Sequence, residues 1–169
     1  MPMSPEKLFE HLATLGIKTN TVEHSAVFTV AESDKLHREI PGGHTKNLFL
    51  KDAKGRIFLI VAESQTEVNL KRLHKDIGCA RLSFAKPDLM MEILGVPPGS
   101  VTAFGVINDK KKQLEQVIID ASLMAFEKIN CHPLINTATT SIARDDLLAF
   151  IRDCGHEPKI MPLNDNGAM

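Results

Sequence analysis

Six consecutive apolar residues, Ile57 to Ala62 (IFLIVA), constrain this 169-residue chain more than any other stretch. A run that short, with no alternation of apolar and polar positions, reads as a strand buried on both faces, and so as the centre of a sheet. Asn47 to Leu50 reads as its hairpin partner, joined through Asp52-Ala53-Lys54-Gly55 as a tight turn. A strand buried on two sides needs cover on two sides, so helices must flank the sheet.

The helix signals are there. Ser4-Pro5-Glu6 reads as an N-cap, a first-turn proline and an early acid. Leu8, Phe9, Leu12 and Leu15 follow at helical spacing as far as Gly16. Thr29-Val30-Ala31-Glu32 has the form of a capping box opening a helix to about Arg38, broken at Pro41-Gly42-Gly43. A third helix is expected from Thr66 or Glu67 through His74, ending at Gly78. A short one is expected over Asp88 to Leu94, and a last one from Arg144 to Cys154. Strands are expected at Thr21–Glu23, Leu82–Phe84, Gln116–Asp120 and Lys159–Met161, with an extended segment at Asn136–Ser141. The Gly/Pro loop Gly95 to Ser100 is expected to feed a strand over Val101–Ile107. Hairpins mixed with helices predict an α+β fold, one domain over residues 1–163 with a mixed sheet flanked by helices, and a polar, frayed tail at 164–169.

Composition narrows the function classes. With 43% apolar and 24% charged residues the chain can bury a core of its own. No apolar run approaches the roughly 18 residues of a membrane span, and the N-terminus has no secretory pattern, which predicts a cytoplasmic protein. Cys79, Cys131 and Cys154 are scattered, and the seven histidines show no ligand spacing, so neither a disulfide framework nor a metal site is expected. A net charge of −1 is not the footprint of a general nucleic-acid binder, although a local basic patch would suffice to grip the end of one.

Five stretches carry possible chemistry. Gly42-Gly43-His44-Thr45-Lys46-Asn47 delivers a lysine from a flexible loop, where an ammonium meets phosphate or a carbonyl oxygen, or merely solvent. Gly99-Ser100-Val101-Thr102-Ala103-Phe104-Gly105 permits close backbone approach to a ligand, or is a plain loop, and it lacks the spacing of either common nucleotide-binding fingerprint. Asn130 to Thr140 gathers His132, Asn136 and several threonines, either as a proton-exchanging pocket wall or as a polar strand with a hydrogen-bonded histidine. Lys71, Arg72 and Lys75 on one helix, and Lys110-Lys111-Lys112 in a loop, are phosphate contacts or solvated faces. Cys131 beside His132 suggests a cysteine hydrolase, but neighbours on a strand point to opposite faces.

Taken in order, HTKNLFLKD (His44–Asp52), VAESQTEVNLKRL (Val61–Leu73), GSVTAFGVIND (Gly99–Asp109) and CHPLINTATTSI (Cys131–Ile142) resemble the YbaK/ProX family of aminoacyl-tRNA editing deacylases. The nearest branch looks like the PrdX-type alanyl-tRNA(Pro) deacylases. The resemblance spans nearly the whole chain and implies a mixed sheet flanked by helices. It places the functional lysine on Lys46, with Asn47 beside it. The loop that shapes the aminoacyl pocket falls on Gly99, Ser100, Val101 and Thr102, and the pocket histidine and asparagine fall on His132 and Asn136. Relatives often carry proline where this chain has Ala103, which bears on the rigidity of that loop.

The implied activity is hydrolysis of mischarged tRNA, most simply alanyl-tRNA(Pro), by a free-standing enzyme without metal or cofactor. Its partners would be the acceptor end of tRNA(Pro) and prolyl-tRNA synthetase. Lys46 would balance charge on the oxyanion, backbone amides of Gly99–Thr102 would assist, and His132 and Asn136 would orient the amine or a water. With no evident carboxylate base, the ribose hydroxyl of the substrate is left to activate the water. Other readings stay open at this point: another mischarged tRNA such as cysteinyl-tRNA(Pro), a non-catalytic module binding aminoacyl-tRNA or a synthetase, or an unrelated small-molecule hydrolase.

Overall fold

A computed structural model describes residues 2–27 and 30–163 of the chain. In chain order the elements are α1 (Pro5–Thr14), β1 (Thr19–Glu23), α2 (Val30–Glu39), β2 (Gly43–Asp52), β3 (Ile57–Glu63), α3 (Leu70–Ile77), β4 (Leu82–Phe84) and α4 (Pro87–Leu94). They continue with β5 (Leu114–Asp120), β6 (Lys128–Cys131), β7 (Ala138–Ala143), α5 (Arg144–Asp153) and β8 (Pro158–Met161). The capping residue expected at Thr29 and the tail expected to fray from Asn164 lie outside the described residues. Among the described residues no helix is long and apolar enough to cross a membrane.

The strands form one mixed sheet in the order β1-β7-β6-β2-β3-β5-β8, with β4 also paired to β2. The apolar run lies at its centre. Strand β3 runs antiparallel to β2 from Thr45↔Glu63 to Lys51↔Ile57 and parallel to β5 on its other side. Its alternate residues enter two separate cores. Ile57, Leu59 and Val61 pack with α1, α4 and α5, burying Leu8, Leu12, Ile93, Leu94, Phe150 and Ile151. Phe58, Ile60 and Ala62 pack on the other face with Leu50, Leu82, Ile118 and Leu73 of α3. At about 1.5–3 kcal/mol for each fully buried large side chain, this two-sided burial dominates the sheet's stability.

Several boundaries differ from expectation. Helix α3 starts at Leu70, because Asn69 caps it by accepting from Lys71 N, and Glu67 and Val68 stay in the preceding loop. Residues expected to continue as a strand to Ile107 instead form a 3₁₀ turn over Ala103–Asn108, opened by Thr102, whose hydroxyl accepts from Phe104 N. A short apolar run cannot be told from a buried helical turn by its pattern. Here α4 decides: Gly105 packs so closely on Leu94 that a Cβ would come within 3.1 Å of it. Strand β6 was not anticipated; it is four residues long and opens on Lys128. The extended segment expected from Asn136 becomes a strand only at Ala138.

Two local devices hold β2 in place. At one end the buried Asp52 accepts hydrogen bonds from Lys54 N, Arg56 N, Arg56 Nε and Ala80 N, tying the β2–β3 turn to the approach to β4. Burial alone would raise its pKa, but the bonds from Arg56, Ala80 and Lys54 outweigh burial and hold the carboxyl below its usual value. At the other end Gly42, at φ +114°, lets the chain cross β6 so closely that a Cβ would sit 2.8 Å from the Lys128 carbonyl oxygen. Gly42→Ala should therefore lower unfolding stability by about 1–3 kcal/mol, read by urea titration. For Asp52 the depressed carboxyl contributes stability that is present above the unfolded carboxylate pKa and is lost as pH falls through the folded value. The stability gap between wild type and Asp52→Asn should therefore be wide at pH 7 and narrow by pH 3; a constant gap would refute the assignment.

Candidate functional site

The site lies where β2 parts from β6. One edge of β2 is paired with β3 along its length, while the other meets β6 only at Gly43 and His44 and β4 only from Leu50 onward. Between those contacts, from Thr45 to Leu48, that edge carries no ladder partner. A cleft of about 560 Å³ opens there, walled by α2, β2, β6, Ser64 and Gln65, with Lys46 and His132 both on its lining.

The floor is polar because of strand alternation. His44 and Lys46 are two residues apart on β2 and share a face. Asn130 lies beside His44 on β6, and Ser141 beside Asn130 on β7. Ile129 and Cys131 join the larger core, although Cys131 also reaches the cleft lining, where its Sγ lies 3.9 Å from Thr45 Oγ1. Asn130 is held at both ends: its Nδ2 donates to the Pro41 carbonyl at 3.1 Å, and its Oδ1 accepts from Ser141 Oγ. Thr45 Oγ1 donates to the Asn130 carbonyl at 2.8 Å, bridging the gap between the parting strands.

Three histidines on the cleft lining have tautomers or charge states fixed by their surroundings. His132 Nδ1 lies 3.1 Å from the Ala138 carbonyl, which can only accept, so Nδ1 carries the proton and the Nε2 lone pair is left free. Burial lowers the pKa of His132, opposed by that backbone bond and aided by the nearby His24 ring. His44 Nε2 donates to the Ile40 carbonyl at 2.7 Å, so its 3.3 Å approach to Asn130 Nδ2 is a contact between two donors. The His44 ring stacks on His37 of α2 with centroids 4.0 Å apart, and burial lowers the pKa of both. Behind His132, His24 Nδ1 donates to the Ser25 carbonyl, and its Nε2 accepts from Thr139 Oγ1 at 2.8 Å.

The sequence-predicted residues divide between the cleft and its support. Lys46 and His132 line the cleft together; Asn47, Gly99, Ser100, Val101, Thr102 and Asn136 are not on its lining. Asn47 turns to the other face of β2 from Lys46, and its buried Oδ1 has no hydrogen-bond partner among the described residues. Thr102 Oγ1 donates to the His132 carbonyl at 2.6 Å, so the Gly99–Thr102 loop braces the histidine from behind. Ser100 is buried and its N–H is taken by the Pro97 carbonyl. Asn136 stands against Gly99, its Nδ2 being 3.7 Å from where a Cβ on that glycine would lie. Between His132 and Asn136, Leu134 holds φ +70° with its side chain buried in the larger core, which anchors the turn.

Sequence reasoning missed the α2 side of the cleft (Ser33, Asp34, Leu36 and His37), while Ser64, Gln65 and Thr139 fall inside the segments that carry the resemblance without having been singled out. The α2 residues stand in no recognisable motif, and only the fold brings α2 over β2. The cysteine hydrolase does not fit: Cys131 is buried and its thiol is pushed up to about 12 by burial, so no thiolate exists near neutral pH. Among the described residues no group of three or more histidine, cysteine, aspartate or glutamate side chains could hold a metal ion. The lysine run at 110–112 is partly structural, since Lys112 Nζ donates to the Cys154 carbonyl at 2.5 Å.

Residues 24–150, which contain the whole lining from Val27 to Thr139, match the family model of the aminoacyl-tRNA editing domain. The chain belongs to this family. A prolyl-tRNA editing protein ProX from Acetoanaerobium sticklandii is 36% identical over 153 residues, covering 90% of this chain and 93% of that one. A prolyl-tRNA synthetase associated domain-containing protein 1 from Bos taurus is 34% identical over 165 residues, covering 94% and 95%. The fold also matches a crystal structure described as a candidate trans-editing enzyme for prolyl tRNA synthetase, with a TM-score of 0.70 at 18% identity, over 98% of this chain and 100% of that one.

The editing domain thus presents a lysine and a neutral imidazole to one cleft. Nitrogen-detected NMR at pH 7 should show His132 as the Nδ1–H tautomer, titrating below the ordinary histidine value of about 6.5. With the folded pKa below the unfolded one, its contribution to stability is present above about pH 6.5 and is lost as pH falls through the folded value. A titration midpoint at or above 6.5 would contradict the geometry.

Proposed function

We propose that this editing domain hydrolyses the ester of mischarged tRNA in trans, with alanyl-tRNA(Pro) as its substrate. The observation that carries the reading is the convergence of Lys46 and the free Nε2 of a neutral His132 on one cleft. The names of the relatives, a prolyl-tRNA editing protein and prolyl-tRNA synthetase associated proteins, support tRNA(Pro) as the carrier and the synthetase as a partner. Alanine suits the logic of editing. A synthetase pocket built for proline loses only about 1–3 kcal/mol of apolar contact with a smaller amino acid, so errors leak through to a second site.

In this mechanism a water attacks the ester carbonyl carbon and the carbonyl π electrons move onto oxygen. The ammonium of Lys46 stabilises that oxyanion as it forms. When the tetrahedral intermediate collapses, the bond to the ribose oxygen breaks and that oxygen takes up a proton, leaving free alanine and intact tRNA. His132, accepting through Nε2, orients the attacking water or the substrate's amine, and the ribose hydroxyl next to the ester takes the water's proton while passing its own to the departing ribose oxygen. Asp34, the carboxylate on the α2 wall, supplies counter-charge for the amino acid's ammonium group. Thr102, with the rest of the Gly99–Thr102 loop and Asn136, acts through the His132 segment and sets the width of the cleft.

Incubating the purified protein with alanyl-tRNA(Pro), prolyl-tRNA(Pro), cysteinyl-tRNA(Pro) and alanyl-tRNA(Ala) should show selective loss of the first. Lys46→Ala should lower kcat on it by at least about 10²-fold while the circular dichroism spectrum stays unchanged. Full activity in the variant would remove Lys46 from the chemistry. Turnover of cysteinyl-tRNA(Pro) alone would reassign the amino acid, and tight binding with no turnover of any of the four would make the protein a binding module.

A further inference from the structure

His24 stands behind His132, outside the cleft lining. It follows β1 directly, and its backbone N–H donates to the Thr137 carbonyl at 2.9 Å, which carries the pairing of β1 with β7 one residue further. The ring is held at both nitrogens. Nδ1 lies 2.8 Å from the Ser25 carbonyl, which can only accept, so Nδ1 carries the proton and Nε2 is the acceptor. Thr139 Oγ1, 2.8 Å from that Nε2, is therefore the donor.

Thr139 and His132 are neighbours across the floor of the cleft. Strand β7 pairs Thr140 with Cys131 and Ser141 with Asn130, so the next step of that register sets Thr139 alongside His132, on the face that carries Asn130 and Ser141. Side chains opposite one another on antiparallel strands start about 4.5–5.5 Å apart at Cβ. The bond from His132 Nδ1 to the Ala138 carbonyl keeps the ring over this part of β7. Burial does most to lower the pKa of His132 and the His24 ring adds to it, which agrees with the two rings being close. Thr139 and His132 both line the cleft, and among the described residues nothing donates to Thr139 Oγ1 or to His132 Nε2.

A hydroxyl turns its proton to whatever acceptor is open, and Thr139 is buried, where an unmade bond is costly. With no partner behind it, the hydroxyl would donate to the open lone pair beside it, that of His132 Nε2. A lone pair so occupied can accept nothing from a water or from the substrate. His24 removes this competitor by taking the hydroxyl proton on the side away from the cleft.

We propose that His24 is a positioning residue that holds the Thr139 hydroxyl proton away from His132, and so keeps the Nε2 lone pair of His132 open for the reaction. The same bond leaves Thr139 Oγ1 with only lone pairs to show the cleft. Both polar groups then accept hydrogen bonds from what enters and donate none. This rests on the reading of the Lys46 cleft as the ester-hydrolysing site.

The test compares wild type, His24→Phe, and His24→Phe combined with Thr139→Val, all on alanyl-tRNA(Pro). Phenylalanine keeps a ring and removes the acceptor; valine keeps the shape of threonine and removes the hydroxyl. His24→Phe should lower kcat about 10-fold or more with KM unchanged. In nitrogen-detected NMR its His132 Nε2 signal should move upfield, because that nitrogen now accepts a hydrogen bond. The double variant should regain most of the lost kcat and return the signal to its wild-type position, a recovery that lost packing alone does not produce. Wild-type kcat in His24→Phe would overturn the proposal, and so would a double variant no faster than the single one. If His24→Phe does not fold, His24→Ala carries the same comparison. If wild type hydrolyses none of the aminoacyl-tRNAs, it is the reading of the cleft that fails. The proposal is then judged by the nitrogen signal: a shift in the single variant that reverses in the double supports it, and any other pattern overturns it.

Discussion

Strand β2 is held along one edge by seven residue pairs with β3 and along the other only at its ends, by β6 and by β4. Everything at the site follows from that asymmetry. The continuous edge makes β2 rigid, because β3 is clamped between two apolar cores. The interrupted edge leaves a gap in the sheet over Thr45–Leu48, into which a substrate can descend. Functional side chains borne on a strand are placed more precisely than those on a loop. Lys46 gains that precision without losing access, because the strand carrying it is ordered on one side and open on the other.

The polar floor of the cleft depends on the same strands being apolar behind. Ile129, Cys131 and Ile142 on one face anchor β6 and β7 in the larger core, and Asn130 and Ser141 on the other face satisfy each other. A buried polar surface is tolerable only if its groups are bonded, and here Pro41, Ile40 and Ala138 carbonyls accept from Asn130, His44 and His132 in turn. Those bonds do more than satisfy valence. Each consumes a particular nitrogen, so the backbone selects which atom of His132 is left for chemistry. Burial keeps the ring neutral near pH 7, and the cleft therefore sets a neutral acceptor beside the Lys46 side chain, with the Asp34 carboxyl on its α2 wall. That pairing suits attack of water on an ester, since protonation of the histidine would remove the acceptor.

Much of this was legible from the residues. The run Ile57–Ala62 specified a central strand because six apolar side chains in succession cannot be satisfied on any sheet edge. Ser, Pro and Gly positions marked several helix ends, as at Ser4, Gly78 and Gly95, whereas the cap at Asn69 went unread. Lys46 and His132 were two candidates among several from the residues alone, and the family resemblance is what separated them from the other stretches. The Gly99–Thr102 loop stood out equally, yet it reaches the cleft only through the hydrogen bond from Thr102 to the His132 carbonyl. Loop composition shows where backbone bends, not which way the bend faces.

The sequence by itself determined which segment lies at the centre of the sheet, where most helices fall, and which lysine and histidine stretches were candidates for chemistry. These are properties of side-chain hydrophobicity and local dihedral preference, felt within a few residues. Only the tertiary structure decided that Ala103–Asn108 coils rather than extends, because Leu94 across the core leaves room for a turn with glycine at its centre. Only it brought His37 and Asp34 of α2 over β2 and turned Asn47 away from the cleft. Those outcomes depend on contacts between residues distant in sequence, whose energies appear only once the sheet has set its order.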